Sequence, residues 1–113
     1  GRFIGLAEDT GLIGPLGDWV LETACRQVQR WRRMGAANLR LAVNLSQRQL
    51  HQPEFGDRVM RILADSGLDP DALELEITES MLMEKATLVI GTLHTLRAMG
   101  VRVSIDDFGT GYS

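Results

Sequence analysis

Apolar and polar residues alternate in three short stretches of the chain. Val101, Val103 and Ile105 alternate with polar neighbours, and a period of two residues is typical of a β-strand. The same alternation is present at residues 39–46 and 73–79. The pattern therefore predicts three strands, each with one apolar and one polar face.

Apolar residues at helical spacing predict three helices. The first begins at Pro15 or Asp18 and ends at Gly35. The second runs from about residue 53 to 66, and the third from about 85 to 99. The apolar stripe expected for the first helix comprises Leu16, Val20, Ala24, Val28 and Trp31.

Helices and strands are predicted to alternate along the chain, an order typical of βαβ units with a parallel sheet. Residues 2–14 are expected to form a loop or a turn of helix before the first long helix. A length of 113 residues corresponds to one domain or to part of one.

Polar residues recur near the strand ends, with 32 positions from Asn44 to Glu76 and 30 from Glu76 to Asp106. This spacing suits a barrel in which each strand delivers one group to the carboxyl-terminal face.

Two adjacent carboxylates, Asp106 and Asp107, follow the last predicted strand and precede a loop with two glycines. Neighbouring carboxylates repel each other unless a cation lies between them, and hard divalent cations prefer oxygen ligands. With Asn44 and Glu76, the pair could form an oxygen-ligand site for Mg²⁺ or Mn²⁺. Alternatively, Asp-Asp begins a solvated turn, because polar strand ends also occur in structural roles.

The composition excludes some classes of protein. The net charge of −3 does not indicate a nonspecific binder of DNA or RNA, which needs a basic surface. The only cysteine, Cys25, allows no intramolecular disulfide and fits a reducing compartment. No apolar run approaches the roughly 20 residues of a transmembrane helix. We expect a cytoplasmic domain, whose parent protein could still carry a membrane anchor.

An arginine cluster, Arg30, Arg32 and Arg33, lies in the last turn of the first predicted helix. Cations are favourable there because they complement the helix dipole. The cluster therefore has two interpretations, a phosphate-binding patch or a capped and solvated helix end.

Four segments, at residues 3–13, 43–49, 73–80 and 106–113, together resemble one family. They read FIGLAEDTGLI, VNLSQRQ, LELEITES and DDFGTGYS, and they resemble the EAL domain of cyclic-di-GMP phosphodiesterases. The resemblance implies an α/β fold, part of a modified TIM-like (β/α)8 barrel, with about three βα units over residues 1–113. It also implies hydrolysis of cyclic di-GMP to linear pGpG in bacterial second-messenger signalling.

The resemblance implies a role for each site residue. Asn44, Glu76 and Asp106 match positions that ligate one divalent metal, and Asn44 is also expected to contact substrate. Asp106 and Asp107 match positions that reach a second metal, giving a two-metal site for Mg²⁺ or Mn²⁺. Glu79 matches a glutamate that steadies the loop after the aspartate pair.

The chain also departs from the family pattern. It contains no Glu-x-Leu motif, Gly5 replaces the usual proline, and the family's later lysine and glutamate lie beyond residue 113. Arg48 is expected either to contact substrate or to form a structural salt bridge. We expect an isolated half barrel to self-associate, or to belong to a longer chain with sensory or GGDEF domains. It should hydrolyse cyclic di-GMP poorly or not at all.

Two other functions compete with this interpretation. A degenerate module could bind cyclic di-GMP or a protein partner without turnover. A kinase metal motif at residues 107–109 is not accompanied by the Gly-rich loop, catalytic loop and strand lysine that kinases require.

Overall fold

Four parallel strands form the sheet of the computed structural model, which describes residues 3–7, 15–52, 54–84 and 86–106. The spatial order of the strands is the same as their order along the chain, so each strand pairs with the one before it. The three predicted strands and their parallel arrangement are confirmed. The strands are β1 (Phe3–Ala7), β2 (Arg40–Asn44), β3 (Leu73–Thr78) and β4 (Arg102–Asp106).

The first strand, β1, replaces part of the expected loop or helical turn, so that prediction was wrong for residues 3–7. β1 pairs with β2 from Phe3 opposite Arg40 to Ala7 opposite Asn44. Its sequence, FIGLA, has no polar residue and therefore no alternation. Continuous apolar runs are typical of strands in parallel sheets, which explains why a search for period-two alternation missed it. Residues 8–14 of the expected loop lie outside the described part of the chain.

The three predicted helices are present, and two short ones accompany them. The short helices, α2 and α4, begin at capping residues Ser46 and Thr78, directly after strands. With four and five residues, they are too short to show helical periodicity in sequence. The helices are α1 (Pro15–Arg33), α2 (Gln47–Leu50), α3 (Phe55–Ser66), α4 (Glu79–Met83) and α5 (Ala86–Ala98), with a 3₁₀ turn at Pro70–Ala72.

The buried stripe of α1 differs from the predicted one. Leu21, Cys25 and Val28 face the core and are at most 5% exposed, whereas Trp31 is 39% exposed. Of the predicted stripe, only Val28 is fully buried, and the side chain of Leu16 lies outside the described set. The prediction counted Trp31 as a core residue and omitted Cys25. As a result, the predicted apolar face is rotated about the axis of α1 relative to the face that is buried. Burial, with a smaller contribution from Glu22, raises the pKa of the Cys25 thiol to about 12.

The helices cover the apolar face of the sheet. Right-handed crossovers between successive parallel strands place their helices on the same side. On β2 and β3 the strand residues on that side are at most 1% exposed, whereas on β4 Val103 is half-buried and Ile105 is 41% exposed. Those on β2 and β3 are Leu41, Val43, Leu73, Leu75 and Ile77. The polar residues that alternate with them therefore point to the opposite face, where the predicted ligands lie.

An ion pair connects α1 to α3 within this layer. Nε of Arg58 lies 3.1 Å from a carboxylate oxygen of Asp18, and the Arg58 guanidinium also lies over the Phe55 ring, 5.8 Å from its centroid. The pair joins the start of α1 to the first turn of α3.

None of the helices in the described residues combines the length and the apolar character needed to cross a membrane.

Candidate metal centre

Three oxygen-bearing side chains lie at the carboxyl ends of adjacent strands. Asn44 on β2 is the register partner of Glu76 on β3. Asp106 on β4 is opposite Thr78, two residues beyond Glu76 on the same strand face. Register partners in a parallel sheet point to the same face, and so do residues two apart on one strand. The structure therefore places Asn44, Glu76 and Asp106 on one face and at one edge of the sheet.

The backbone fixes this register beside the candidate ligands. The amide of Leu45, which follows Asn44, donates to the carbonyl oxygen of Glu76 at 3.0 Å. A slip of one residue between β2 and β3 would turn the side chain of Glu76 toward the helices. The ladder hydrogen bond therefore holds both side chains on the open polar face.

Negative charge accumulates around Glu76. Burial raises the pKa of its carboxyl group, and the charges of Glu74 and Asp106 raise it further. Glu74 lies two residues earlier on the same face of β3. The repulsion shows that the carboxylates of Glu76 and Asp106 share an environment in which a bound cation would be favourable.

The donor set suits a hard divalent cation. It consists of one amide oxygen and two carboxylates, which are ligands preferred by Mg²⁺, Mn²⁺ and Ca²⁺. Within the described ranges, no three side chains of the His, Cys, Asp and Glu types come together as a metal site. The described part of the site therefore depends on Asn44 as its third donor. Asp107, the predicted bridge to a second metal, lies outside the described residues.

Glu79 is the first residue of α4, directly after the end of β3. The Thr78 hydroxyl accepts a hydrogen bond from the Met81 amide at 3.3 Å and caps this helix. A carboxylate is favourable in the first turn because it complements the helix dipole. The cap therefore fixes Glu79 beside the strand ends. The loop at residues 108–113 that it is predicted to steady lies outside the described chain.

Arg48 lies on α2, which begins three residues after Asn44. The helix is held by a capping box in which the Ser46 amide donates to Oε1 of Gln49 at 3.0 Å and the Gln49 amide donates to the Ser46 hydroxyl at 3.2 Å. Arg48 is exposed. Among the described residues it forms no salt bridge, so the structural alternative for this arginine is not observed.

One further polar residue belongs to the same face. Ser104 on β4 is the register partner of Glu76, yet sequence reasoning gave it no role in the site. Its alternation with Val103 and Ile105 already indicated that it faces away from them. The signal was present, but a lone serine in a strand carries no specific chemistry.

Comparison with known proteins agrees with this geometry. The chain matches the family model of the EAL domain over residues 1–113. It is 49% identical over 113 residues to the bifunctional diguanylate cyclase/cyclic di-GMP phosphodiesterase MucR of Pseudomonas aeruginosa. The match covers all of this chain and 16% of MucR, so the chain spans a small part of that relative.

Solved structures show the same fold. The PaMucR phosphodiesterase in complex with c-di-GMP aligns with a TM-score of 0.80 and 48% identity, covering 92% of this chain and 42% of that one. The Klebsiella pneumoniae BlrP1 manganese/cyclic-di-GMP complex aligns with a TM-score of 0.65 and 30% identity, covering 85% and 24%. These neighbours contain EAL domains, which have a TIM-like barrel fold. Because the family model covers the whole chain, the chain belongs to the EAL domain family.

Proposed function

We propose that the domain to which this chain belongs hydrolyses cyclic di-GMP to linear pGpG with the help of divalent metal ions. The observation that carries the proposal is the register that aligns Asn44 with Glu76 and places Asp106 on the same face. MucR, which is 49% identical, is a cyclic di-GMP phosphodiesterase and diguanylate cyclase. Family membership and ligand geometry thus support the same chemistry.

We propose that Asn44, Glu76 and Asp106 hold one metal, and that Asp106 and Asp107 reach a second, either Mg²⁺ or Mn²⁺. The manganese complex of BlrP1 supports this choice of cation. Metals bound there would polarise a phosphate oxygen and lower the pKa of a water molecule, as in other two-metal phosphodiesterases. Asn44 supplies a neutral donor, so Glu76 and Asp106 would balance the formal charge of one divalent cation. Two cations held by these carboxylates together with Asp107 would carry a net positive charge and attract phosphate.

The polar residues beyond the ligands orient the site. Glu79, fixed by the Thr78 cap, is proposed to steady the loop after Asp107. Arg48 is proposed to contact a substrate phosphate, because it is exposed and lies on the helix that follows Asn44. Neither residue needs to take a proton in this proposal.

The isolated chain is proposed to be inactive or nearly so. The open polar face of its sheet leaves the ligands in contact with solvent, whereas in-line hydrolysis needs ligands and substrate contacts from all around the site. In a longer protein, sensory or GGDEF domains are the partners proposed for it. MucR, which combines both activities in one chain, supports this arrangement.

The test measures pGpG formation by chromatography, using the full-length protein that contains this chain, with Mn²⁺ or Mg²⁺. Asp106→Asn and Glu76→Gln should each lower kcat at least about a hundredfold. Glu74→Gln, on the same face but nearer the start of β3, is the matched control and should retain most activity. Equal activity in all four proteins would contradict the proposed metal ligands. Binding of cyclic di-GMP without turnover in the wild-type protein would favour the receptor function instead.

A further inference from the structure

Positive charge is concentrated in one part of this acidic chain. Residues 23–53 contain six arginines and no aspartate or glutamate, although the chain as a whole carries a net charge of −3. The arginines are Arg26, Arg30, Arg32, Arg33, Arg40 and Arg48. Such segregation creates a local positive potential that the overall charge conceals.

Three of these arginines line one groove that is formed by residues of α1 and the end of α3. The groove has a volume of about 310 Å³. Arg26, Arg30 and Arg33 follow each other at spacings of four and three, which places them on one helix face within roughly 10 Å. We call this concavity the arginine groove; its lining residues are Arg26, Gln29, Arg30, Arg33, Met34 and Ser66.

The arginines of the groove differ in their partners. Arg26 donates through Nε and Nη2 to one carboxylate oxygen of Glu22, at 3.0 and 2.8 Å. Within the part of the chain that the structure describes, the guanidinium groups of Arg30 and Arg33 have neither an ion pair nor a hydrogen bond. Two cations therefore face the same groove without a carboxylate to neutralise them.

Hydrogen-bond capping of the helix end does not require these two arginines, whose charges still complement the helix dipole. The carbonyl oxygens of the last turn of α1 already accept backbone hydrogen bonds, from Met34 to Arg30 and from Ala36 to Trp31, both at 3.1 Å. The left-handed conformation of Gly35, with φ of +124°, makes these bonds possible. Side chains are therefore not required as hydrogen-bond caps there.

Apart from its arginines, the groove provides few groups that could contact a ligand. The Ser66 hydroxyl donates to the Leu63 carbonyl and accepts from the Leu68 amide, each at 3.3 Å, so its hydrogen-bonding capacity is used within the turn. Met34 is 76% exposed and forms an apolar side of the groove. The available donors are thus the guanidinium groups, which match the oxygens of phosphate in geometry and charge, and the side-chain amide of Gln29.

We propose that the arginine groove binds the phosphate group of a small phosphorylated ligand. Arg30 and Arg33 donate to the phosphate oxygens, and Met34 contacts the apolar remainder of the ligand. The volume fits a phosphate ester rather than a folded partner. Glu22 competes with the ligand for Arg26, because its carboxylate carries the same sign of charge as phosphate.

The test is calorimetric titration of the 113-residue chain with inorganic pyrophosphate and with adenosine 5′-monophosphate, at about 0.15 M salt to screen nonspecific attraction. Substituting Arg30→Gln and Arg33→Gln together should weaken binding at least about tenfold. Glu22→Gln should strengthen it by about two- to fivefold, because it frees Arg26 and removes a negative charge. The matched control combines Arg61→Gln and Arg97→Gln, exposed arginines on α3 and α5, and should retain wild-type affinity.

Three outcomes would overturn the proposal. The first is no binding of either probe at millimolar concentration. The second is an equal loss of affinity in the two double variants, and the third is no gain of affinity in Glu22→Gln, in each case with circular dichroism showing that all proteins are folded.

Sedimentation with phosphatidylcholine vesicles, with and without phosphatidic acid, identifies the source of the phosphate. Binding to the vesicles that depends on Arg30 and Arg33 indicates a lipid headgroup, and binding of the soluble probes alone indicates a free ester. The measurement involves neither metal nor turnover, so its result is independent of the hydrolysis assay.

Discussion

Replacing Glu76 by glutamine should stabilise the metal-free chain and abolish its response to metal. Burial, Glu74 and Asp106 all raise the pKa of Glu76, so its ionised form is disfavoured in the fold. Glutamine retains the shape of the side chain without its charge. Substitution of a half-buried strand residue usually lowers stability. A measured gain in stability would therefore indicate that charge repulsion at Glu76 had been relieved.

The magnitude follows from the strand register. Glu76 is opposite Ser104, and Asp106 lies two residues further along β4, which gives a diagonal separation of about 8 Å. At that distance two like charges repel by about 0.5 kcal/mol in water. With a similar contribution from Glu74 and partial screening by solvent, we expect a gain of about 0.5–1 kcal/mol. For a chain of this length the gain corresponds to about 2–4 °C in Tm.

Metal should reverse the order of stability. A ligand at ten times its Kd stabilises the native state by about 1.4 kcal/mol, or about 6 °C here. The wild-type chain should show this rise with Mn²⁺ in a thermal melt followed by circular dichroism, and Glu76→Gln should not. Glu74→Gln is the control that should retain it. A lower metal-free Tm for Glu76→Gln would refute the argument from charge repulsion, and an undiminished response to Mn²⁺ would refute the assignment of Glu76 as a ligand.

The pH dependence has a definite sign. A carboxyl group whose pKa is raised by folding binds protons more tightly in the native state, so stability falls as the pH rises through and above the ordinary value of 4.5. The difference in Tm between Glu76→Gln and the wild-type chain should therefore be largest near neutral pH and should disappear below about pH 4. A constant difference across this range would contradict the electrostatic explanation.

Four further outcomes are expected. Gly91→Ala should stabilise the chain by about 0.5–1 kcal/mol in urea titration, because a Cβ there meets no atom within 4 Å inside α5; Gly67→Ala, at φ of +77°, should destabilise it instead. Leu75→Ala should cost about 2–5 kcal/mol because Leu75 is fully buried, while Leu88→Ala, at a residue that is 44% exposed, should cost less than about 1 kcal/mol. Cys25 should react with a thiol reagent only when the chain unfolds, since its pKa is about 12; labelling under native conditions at the rate of a free thiol would contradict its burial. Light scattering should give the mass of a dimer or larger assembly, because β1 and β4 each have one unpaired edge within the described residues; a monomer without pGpG formation would refute self-association but not the proposed inactivity.

Periodicity predicted much of the fold, and its failures have physical reasons. The alternation of β2 and β3 identified their faces correctly because one face of each is buried by helices. The apolar side of β4 is only partly covered. β1 lacks alternation, and α2 and α4 depend on side-chain caps rather than on an apolar stripe. The stripe of α1 was misjudged because Trp31 is apolar by composition but lies at the surface.

The site could be predicted only as a set of residue types. Spacings of 32 and 30 residues placed the three donors near strand ends. The register depends on how those residues are divided between loops and helices, and the spacing alone does not give that division. The structure shows that Asp106 lies opposite Thr78 rather than opposite Glu76. That offset depends on backbone hydrogen bonds between strands that are distant in sequence, which no local pattern contains.

The strand order also bears on how the chain assembles during synthesis. Each strand pairs with its predecessor, so the sheet can grow one βα unit at a time as the chain leaves the ribosome. Asn44 and Glu76 are then aligned before Asp106 is made. β4 is also less covered than β2 and β3, with Ile105 41% exposed. Amide hydrogens of β4 should therefore exchange with solvent sooner than those of β2 and β3, so the proposed metal site would open and close at β4 while the core behind β2 and β3 remains folded.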